Sequence, residues 1–414
     1  MENYSIVIII LAIMIGLSAI ADKMKLPYPI LLIVAGIGVG FIPAMPNVEL
    51  NPEIVFLIFL PPLLYDAAFN ISFQTFKTNI NTIGTLAITL VFITTTGIAV
   101  AAHYMIPGIT WPLAFVLGAI LSATDAIAAM SITKGLGLSH STNTILEGES
   151  LVNDASALVA YRFAIAAVTG IAFVWWKASI QFVILMAGGL LIGLVMGKLL
   201  AFIIKRFHEN NLVVISFMLL MPFVTYLIAE DLHVSGVIAL VVLGLSIAQF
   251  SNKVFPENLK LQSKAIWDII IFLLNGLIFI LIGLQFPDVM KNISRNQVLP
   301  DIGYAFIITV TALLLRMARV FLQKLNLQQA FKKGKTKISP DALLDFKNSL
   351  IISWSGMRGI VSLAIAIGLP KTLANGNPFP ERDTIIFISV VVVLFTLIGQ
   401  GLSLPWLVRR LKTV

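Results

Sequence analysis

Apolar positions along the chain fall into thirteen segments of roughly 20 residues, each long enough to cross a ~30 Å hydrocarbon core as a helix. They lie at about 4–21, 26–43, 53–69, 80–105, 111–133, 145–169, 178–204, 211–229, 234–250, 266–286, 302–324, 346–370 and 384–408. Pro43, Pro46, Pro107, Pro287, Pro300 and Pro370 fall near segment ends, where a helix is interrupted most cheaply. The "AIA" at 19–21 looks like a signal cleavage site, but "MENYS" lacks the basic stretch such a signal needs. The first segment therefore reads as a retained helix. The pattern predicts an all-α integral membrane protein of thirteen spans.

Two segments carry polar interruptions. The fifth runs "PLAFVLGAILSATDAIAAMSITKG", with "SATD" near its middle. The twelfth runs "NSLIISWSGMRGIVSLAIAIGLP", with Ser355, Gly356 and Gly359 around Arg358. A glycine weakens a helix interior by about 1 kcal/mol relative to alanine, and unwound backbone at membrane depth survives only inside protein or beside a water-filled cavity. Each is predicted to be a pair of half-helices crossing at the midplane; the alternative is a kinked, continuous helix. Asp125 would compensate helix N-termini there and Arg358 the C-termini. The two lie seven segments apart, the spacing of two inverted six-helix repeats joined by a linker helix at about 178–204.

Composition agrees with a bilayer solvent. Of 414 residues, 58% are hydrophobic and 12% charged, with mean hydropathy +0.98; soluble domains carry about 25% charged residues. The absence of cysteine excludes disulfides, iron–sulfur clusters and thiolate zinc sites. The four histidines have no metal-ligand spacing, and no cofactor is implied. The net charge of +8 could suggest nucleic acid, but its distribution argues otherwise. With the N-terminus outside, twenty of the 28 basic residues fall on inner loops and helix edges, five on outer ones and three inside segments. This bias places the C-terminus in the cytoplasm and the protein, multi-pass, in the cell membrane. "FKKGKTK" at 331–337 then reads as an inner-loop cluster.

Seven ionisable residues remain at membrane depth: Asp66, Asp125, Glu149, Asp154, Arg162, Arg316 and Arg358. At about 2.5–3.5 kcal/mol each, unpaired charges would cost on the order of 20 kcal/mol together. They must pair, neutralise or face water. On a helical wheel Glu149 and Asn153 share one face, while Ser150 and Asp154 share another about 100° away. The first face calls for a cation, and Arg316 is the available arginine. The second offers a hydroxyl and a carboxylate, hard oxygen ligands suited to an alkali cation and ill suited to a transition metal.

These segments carry a resemblance. "ESLVNDASALV", "LSATDA", "FLPPLLYDAAF" and "WSGMRGIVSLA" resemble the signature segments of sodium/proton exchangers, in particular the NhaP-type branch of the monovalent cation:proton antiporters, in the same order along nearly the whole chain. The resemblance implies a homodimer whose dimerisation part spans about 1–70 and 211–286, and an ion-transport core at about 80–169 and 302–408. It further implies that Asp154 binds the ion, that Ser150, Thr124 and Asp66 supply further oxygens, and that Glu149 pairs with Arg316 near Asn153. Arg358 would be the arginine of the second broken helix. Relatives commonly carry "FE" where this chain has Tyr65 and Asp66, so the shorter aspartate would reach the ion through water or not at all. The sequence ends soon after the last segment, which places regulation in the membrane core itself.

The implied function is exchange of Na⁺, with Li⁺ as a further substrate, against H⁺ by competition at Asp154. A permanently ionised Asp154 would bind sodium without ever returning a proton. Potassium/proton exchange on the same fold is the alternative, because oxygen ligands alone do not rank the alkali cations. A channel or receptor fits less well, since the sequence offers one buried titratable site rather than a continuous pore. An intramembrane aspartyl protease lacks its second motif: "GLGL" at 135–138 has no aspartate.

Overall fold

The computed structural model describes residues 10–20, 28–42, 52–133, 136, 138–170, 175–333, 343–373 and 376–412. Lys23, Lys25 and Lys134, and the "FKKGKTK" cluster beyond Lys333, lie outside them. Among the described residues the regular structure is helical, apart from one isolated bridge between Thr372 and Pro378. In chain order the helices are α1 (Ile10–Ile20), α2 (Tyr28–Gly40), α3 (Pro52–Asn70), α4 (Phe73–Thr78), α5 (Ile80–Met105), α6 (Trp111–Ser122), α7 (Ala126–Thr133) and α8 (His140–Val168). They continue as α9 (Trp175–Arg206), α10 (Asn211–Asp231), α11 (Gly236–Val254), α12 (Glu257–Asn292), α13 (Arg295–Lys332), α14 (Phe346–Trp354), α15 (Ile360–Ile367) and α16 (Arg382–Leu411). Seven are long and apolar enough to cross a membrane, within α5, α8, α9, α10, α12, α13 and α16. Shorter apolar helices occupy five of the other expected segments, and α14 and α15 divide the sixth, 346–370.

Several boundaries differ from the hydropathy reading. α12 and α13 run well past the expected 266–286 and 302–324, so Pro287 and Pro300 sit inside helices instead of closing them. Hydropathy ends where apolar residues end, whereas the helical hydrogen bonds continue onto polar residues outside the bilayer. α8 begins at His140, where the Ser139 hydroxyl accepts from the Thr142 N–H at 3.1 Å as an N-cap. Arg162 is not a buried charge. It stands toward the far end of α8 with its side chain 48% exposed, 2.7 Å from Glu230.

The expected interruptions are present. α6 stops at Ser122 and α7 starts at Ala126, leaving 123–125 unwound; α14 stops at Trp354 and α15 starts at Ile360, leaving 355–359 unwound. The two stretches cross, with the Asp125 N–H donating to the Met357 carbonyl at 2.8 Å. Four helix ends thereby meet inside the protein, each with orphan N–H or C=O groups. Asp125 serves the N-termini: Oδ1 accepts from Ala128 N–H at 3.1 Å in α7, and Oδ2 from Ile360 N–H at 3.4 Å in α15. Arg358 serves the C-termini, donating from Nε to the Leu121 carbonyl at 2.9 Å and from Nη1 to the Gly356 carbonyl at 2.5 Å. Its own N–H is held by the Thr396 hydroxyl at 3.2 Å, where a π-helical turn (Thr396–Gln400) interrupts α16. α5 carries a similar turn at Thr85–Leu90.

The crossing has no room for side chains at its glycines. A Cβ on Gly359 would collide with the Asp125 carboxylate, and one on Gly356 with the Arg316 guanidinium. Gly359→Ala should therefore lower the thermal unfolding midpoint, at an overpacking cost of about 1–3 kcal/mol. Gly303→Ala in α13, where a Cβ meets nothing within 4 Å, should leave it unchanged or raise it by up to ~1 kcal/mol. Equal midpoints for the two variants would refute this account of the crossing.

Candidate ion-binding site

α8 passes beside the unwound 123–125 segment and presents two faces to different surroundings. On one, Glu149 and Asn153 are both 1% exposed. Arg316 of α13 donates from Nη1 to Glu149 Oε1 and from Nη2 to Oε2 at 2.8 Å, a two-pronged pair whose side chains are 2% and 1% exposed. The same guanidinium closes the α14 end by donating to the Ile352 carbonyl from Nε at 3.1 Å and from Nη2 at 3.0 Å. The Thr124 hydroxyl donates to Glu149 Oε1 at 3.2 Å and accepts from Asn153 Nδ2 at 2.5 Å. Glu149, Asn153, Thr124 and Arg316 thus form one buried polar network. Asn153 Oδ1 is the atom in it that has no partner among the described residues.

The other face of α8 opens on a cavity of about 710 Å³, lined in part by Asp154, Ser150, Thr124, Asp125, Glu147 and Asp66. Ser150 Oγ donates to the Thr124 carbonyl at 3.0 Å and accepts from the Ala126 N–H at 3.3 Å, which fastens α8 to the broken helix. Asp154, four residues on and 5% exposed, accepts no hydrogen bond and forms no ion pair among the described residues. Its carboxylate, Ser150 and Thr124 line the same cavity, and the groups they offer are all oxygen donors. Such a set matches a hard monovalent cation and offers a basic oxygen for a proton.

Asp66 of α3 also lines the cavity and is less buried than Asp154, with Oδ1 accepting from Asn70 Nδ2 at 3.0 Å. Glu147 was missed by the hydropathy reading because it lies two residues after the estimated start of its segment. It is seven residues before Asp154, hence on the same helix face and about 10 Å away along the axis. That spacing was the available signal. Asp268 of α12 also lines the cavity and sits 3.5 Å from Lys264.

Known proteins share this arrangement of helices. The family model described as "Sodium/hydrogen exchanger, transmembrane" matches residues 7–410. The "Sodium, potassium, lithium and rubidium/H(+) antiporter" of Bacillus pumilus is 38% identical, over 99% of this chain and 62% of its own length. The Bacillus subtilis protein of the same name is 36% identical, over 98% and 61%. The chain thus spans about three-fifths of these two relatives. The "Na(+)/H(+) antiporter ApNhaP" of Aphanothece halophytica is 32% identical, over 100% of this chain and 76% of its own. Among solved structures, the sodium proton antiporter MjNhaP1 from Methanocaldococcus jannaschii superposes with a TM-score of 0.75 over 100% of this chain and 99% of its own. At 21% identity that match speaks for the fold.

The buried pair makes a sharp prediction. Removing one partner leaves an uncompensated charge, at a cost of about 3–5 kcal/mol. Arg316→Ala should therefore lower the melting temperature in detergent more than the double variant Glu149→Gln, Arg316→Gln does. Single-variant losses that merely add in the double variant would show that the two residues are uncoupled.

Proposed function

The chain belongs to the sodium/hydrogen exchanger family, and on that premise we propose that it exchanges Na⁺ or Li⁺ for H⁺ at Asp154, one ion for one proton. It is a multi-pass membrane antiporter of the NhaP type, a transporter and not an enzyme. The observation that carries the site assignment is the carboxylate of Asp154, buried at the closed end of a cavity with no partner of its own. A carboxylate there needs either a proton or a cation to be neutral, and it competes for the two. Ser150 and the Thr124 oxygens complete the shell, and Asp66 joins through water. Potassium is a further substrate to test, because the two Bacillus relatives carry it in their names.

Packing supports a division into two bodies. α2 lies along α12 and α3 along α11, with α9 and α10 against α11; α5 lies along α6, and α13 packs against α5 and α16. The first group is the dimerisation part, about 1–70 and 211–286, with α9 as linker. The second is the ion-carrying core, about 80–169 and 302–408, built from the two inverted halves of a thirteen-span chain. Two copies associate through the first part, and the core moves Asp154 past it between the two sides of the membrane. With the N-terminus outside, the cavity mouth at the α7–α8 connection faces the cytoplasm, so this conformation is inward-open. The cell membrane is the proposed location.

Electroneutrality follows from the site's charges. Asn153 cannot titrate, the Glu149 carboxylate is committed to Arg316, and Asp125 is committed to helix ends. Asp154 with H⁺ and Asp154 with Na⁺ then carry equal charge.

In proteoliposomes with an internal pH dye, Na⁺ or Li⁺ gradients should drive proton movement, and Asp154→Asn should abolish it while leaving a folded protein. Full activity in that variant would move the carrier role to Asp66 or Glu147; silence of the parent chain toward Na⁺, Li⁺ and K⁺ would sink antiport altogether. A second measurement clamps the liposomes with valinomycin at different potassium potentials, once potassium is shown not to be transported. Sodium-driven proton flux should not change with voltage. A driving force that shifts with potential would require a second titrating group, with Glu147 and Asp66 the nearest.

A further inference from the structure

α8 changes its surroundings at Asp154. Toward the cavity mouth, Glu147 and Ser150 look into open space. Beyond Asp154, Ala155, Leu158 and Val159 close against Leu185 of α9 and Val237 of α11, leaving about 20 Å³. That is room for a single water, too little for a hydrated cation. At the rim of this closed seam Arg162 Nη2 donates to Glu230 Oε2 at 2.7 Å. Arg162 rides on α8 itself, eight residues or about 12 Å past Asp154. Glu230 sits in the last turn of α10, and the connection to α11 is tied down on all sides. Val234 N–H donates to the Ala229 carbonyl at 2.9 Å, Ser235 N–H to the Leu185 carbonyl of α9 at 3.2 Å, and Ser235 Oγ accepts from Ile238 N–H at 3.2 Å. His233 takes a left-handed φ of 55° to make the turn. The acid therefore belongs to the α9–α11 wall and the arginine to the α8 wall.

From this geometry we propose that the Arg162–Glu230 pair is a latch that holds the passage on the far side of Asp154 shut. The inference rests on the two-body, alternating-access reading above. Any displacement of α8 that admits an ion from the far side must part the apolar seam and pull Arg162 from Glu230. The pair lies too far from Asp154 to ligate the ion, so it acts on the balance of conformations. Its strength suits that task. Both side chains are partly exposed, at 48% and 32%, and an ion pair in such a setting shifts an equilibrium by roughly two- to five-fold. It biases the closed seam and still opens in every cycle, which a fully buried pair like Glu149–Arg316 would not.

The chain contains no cysteine, so a single Val159→Cys substitution reports on the seam; Val159 is 4% exposed and close to cysteine in size. A soluble maleimide would be reacted with detergent-purified protein, where both faces are reachable. Arg162→Gln or Glu230→Gln added to Val159→Cys should each speed labelling roughly two- to five-fold. The charge swap Arg162→Glu, Glu230→Arg should return the rate toward that of Val159→Cys alone. Unchanged labelling in both single variants would overturn the latch, as would a swap that labels as fast as they do. If one neutral variant does not stay monodisperse, the other and the swap still decide. Labelling needs no ion movement, so its outcome tests the latch alone, whereas absent exchange in the parent chain would refute the antiport reading alone.

Discussion

Everything at the centre of this fold depends on four helix ends being made tolerable away from bulk water. An interrupted helix exposes N–H groups at one end and carbonyls at the other, and each unsatisfied group inside a membrane costs several kcal/mol. Asp125 and Arg358 each answer both breaks here, and Arg316 adds a further cap at α14. Asp125 takes N–H groups from α7 and α15, and Arg358 gives to carbonyls at the ends of α6 and α14. Because each charge serves two helices, the breaks must lie against each other; glycine at 359 lets them, and glycine at 356 admits Arg316 beside them. The unwound Thr124 carbonyl then becomes available to Ser150, which fixes where α8 runs and therefore where Asp154 stands.

With that scaffold set, α8 separates a paired carboxylate from an unpaired one by a rotation of about 100° between its two faces. Glu149 is neutralised by Arg316 in a two-pronged contact that also braces α14, so it behaves as structure. Asp154, one turn further and on the neighbouring face, has no such partner and looks into the cavity. The amide of Asn153 between them bonds to Thr124 and adds no charge of its own. A neutralised carboxylate and an unpaired one can coexist within six residues because the helix keeps the two faces apart.

Much of this was legible in the sequence, for identifiable reasons. Apolar length marks helical segments, and a polar "SATD" or a "SGMRG" inside one marks a break, because neither is stable as lipid-facing helix. The functions of Asp125 and Arg358 as end-compensating charges followed from their signs. Depth was harder. Hydropathy puts Arg162 in the interior because it counts residues along a segment and does not know which end of the helix leaves the protein. Glu147 was passed over because the segment was started five residues after α8 begins. The Glu149–Arg316 contact spans 167 positions; it is legible from the charge the Glu149 face calls for and from the family resemblance, since no local periodicity encodes a partner that remote. The closed seam and the Arg162–Glu230 contact have neither signal: they join remote positions and no motif names the partner.

The π-helical turn at Thr396–Gln400 bears on how the last helix is read at all. Such a turn holds one residue more than an α-turn, so the positions after it are advanced by about a third of a revolution relative to an uninterrupted helix. In that advanced phase the Trp354 indole N–H donates to Ser403 Oγ at 2.8 Å. A wheel drawn straight through α16 would assign the wrong face to everything beyond Gln400. Shortening the turn by one residue would rotate the whole terminal segment against the crossing, which the turn braces through Thr396.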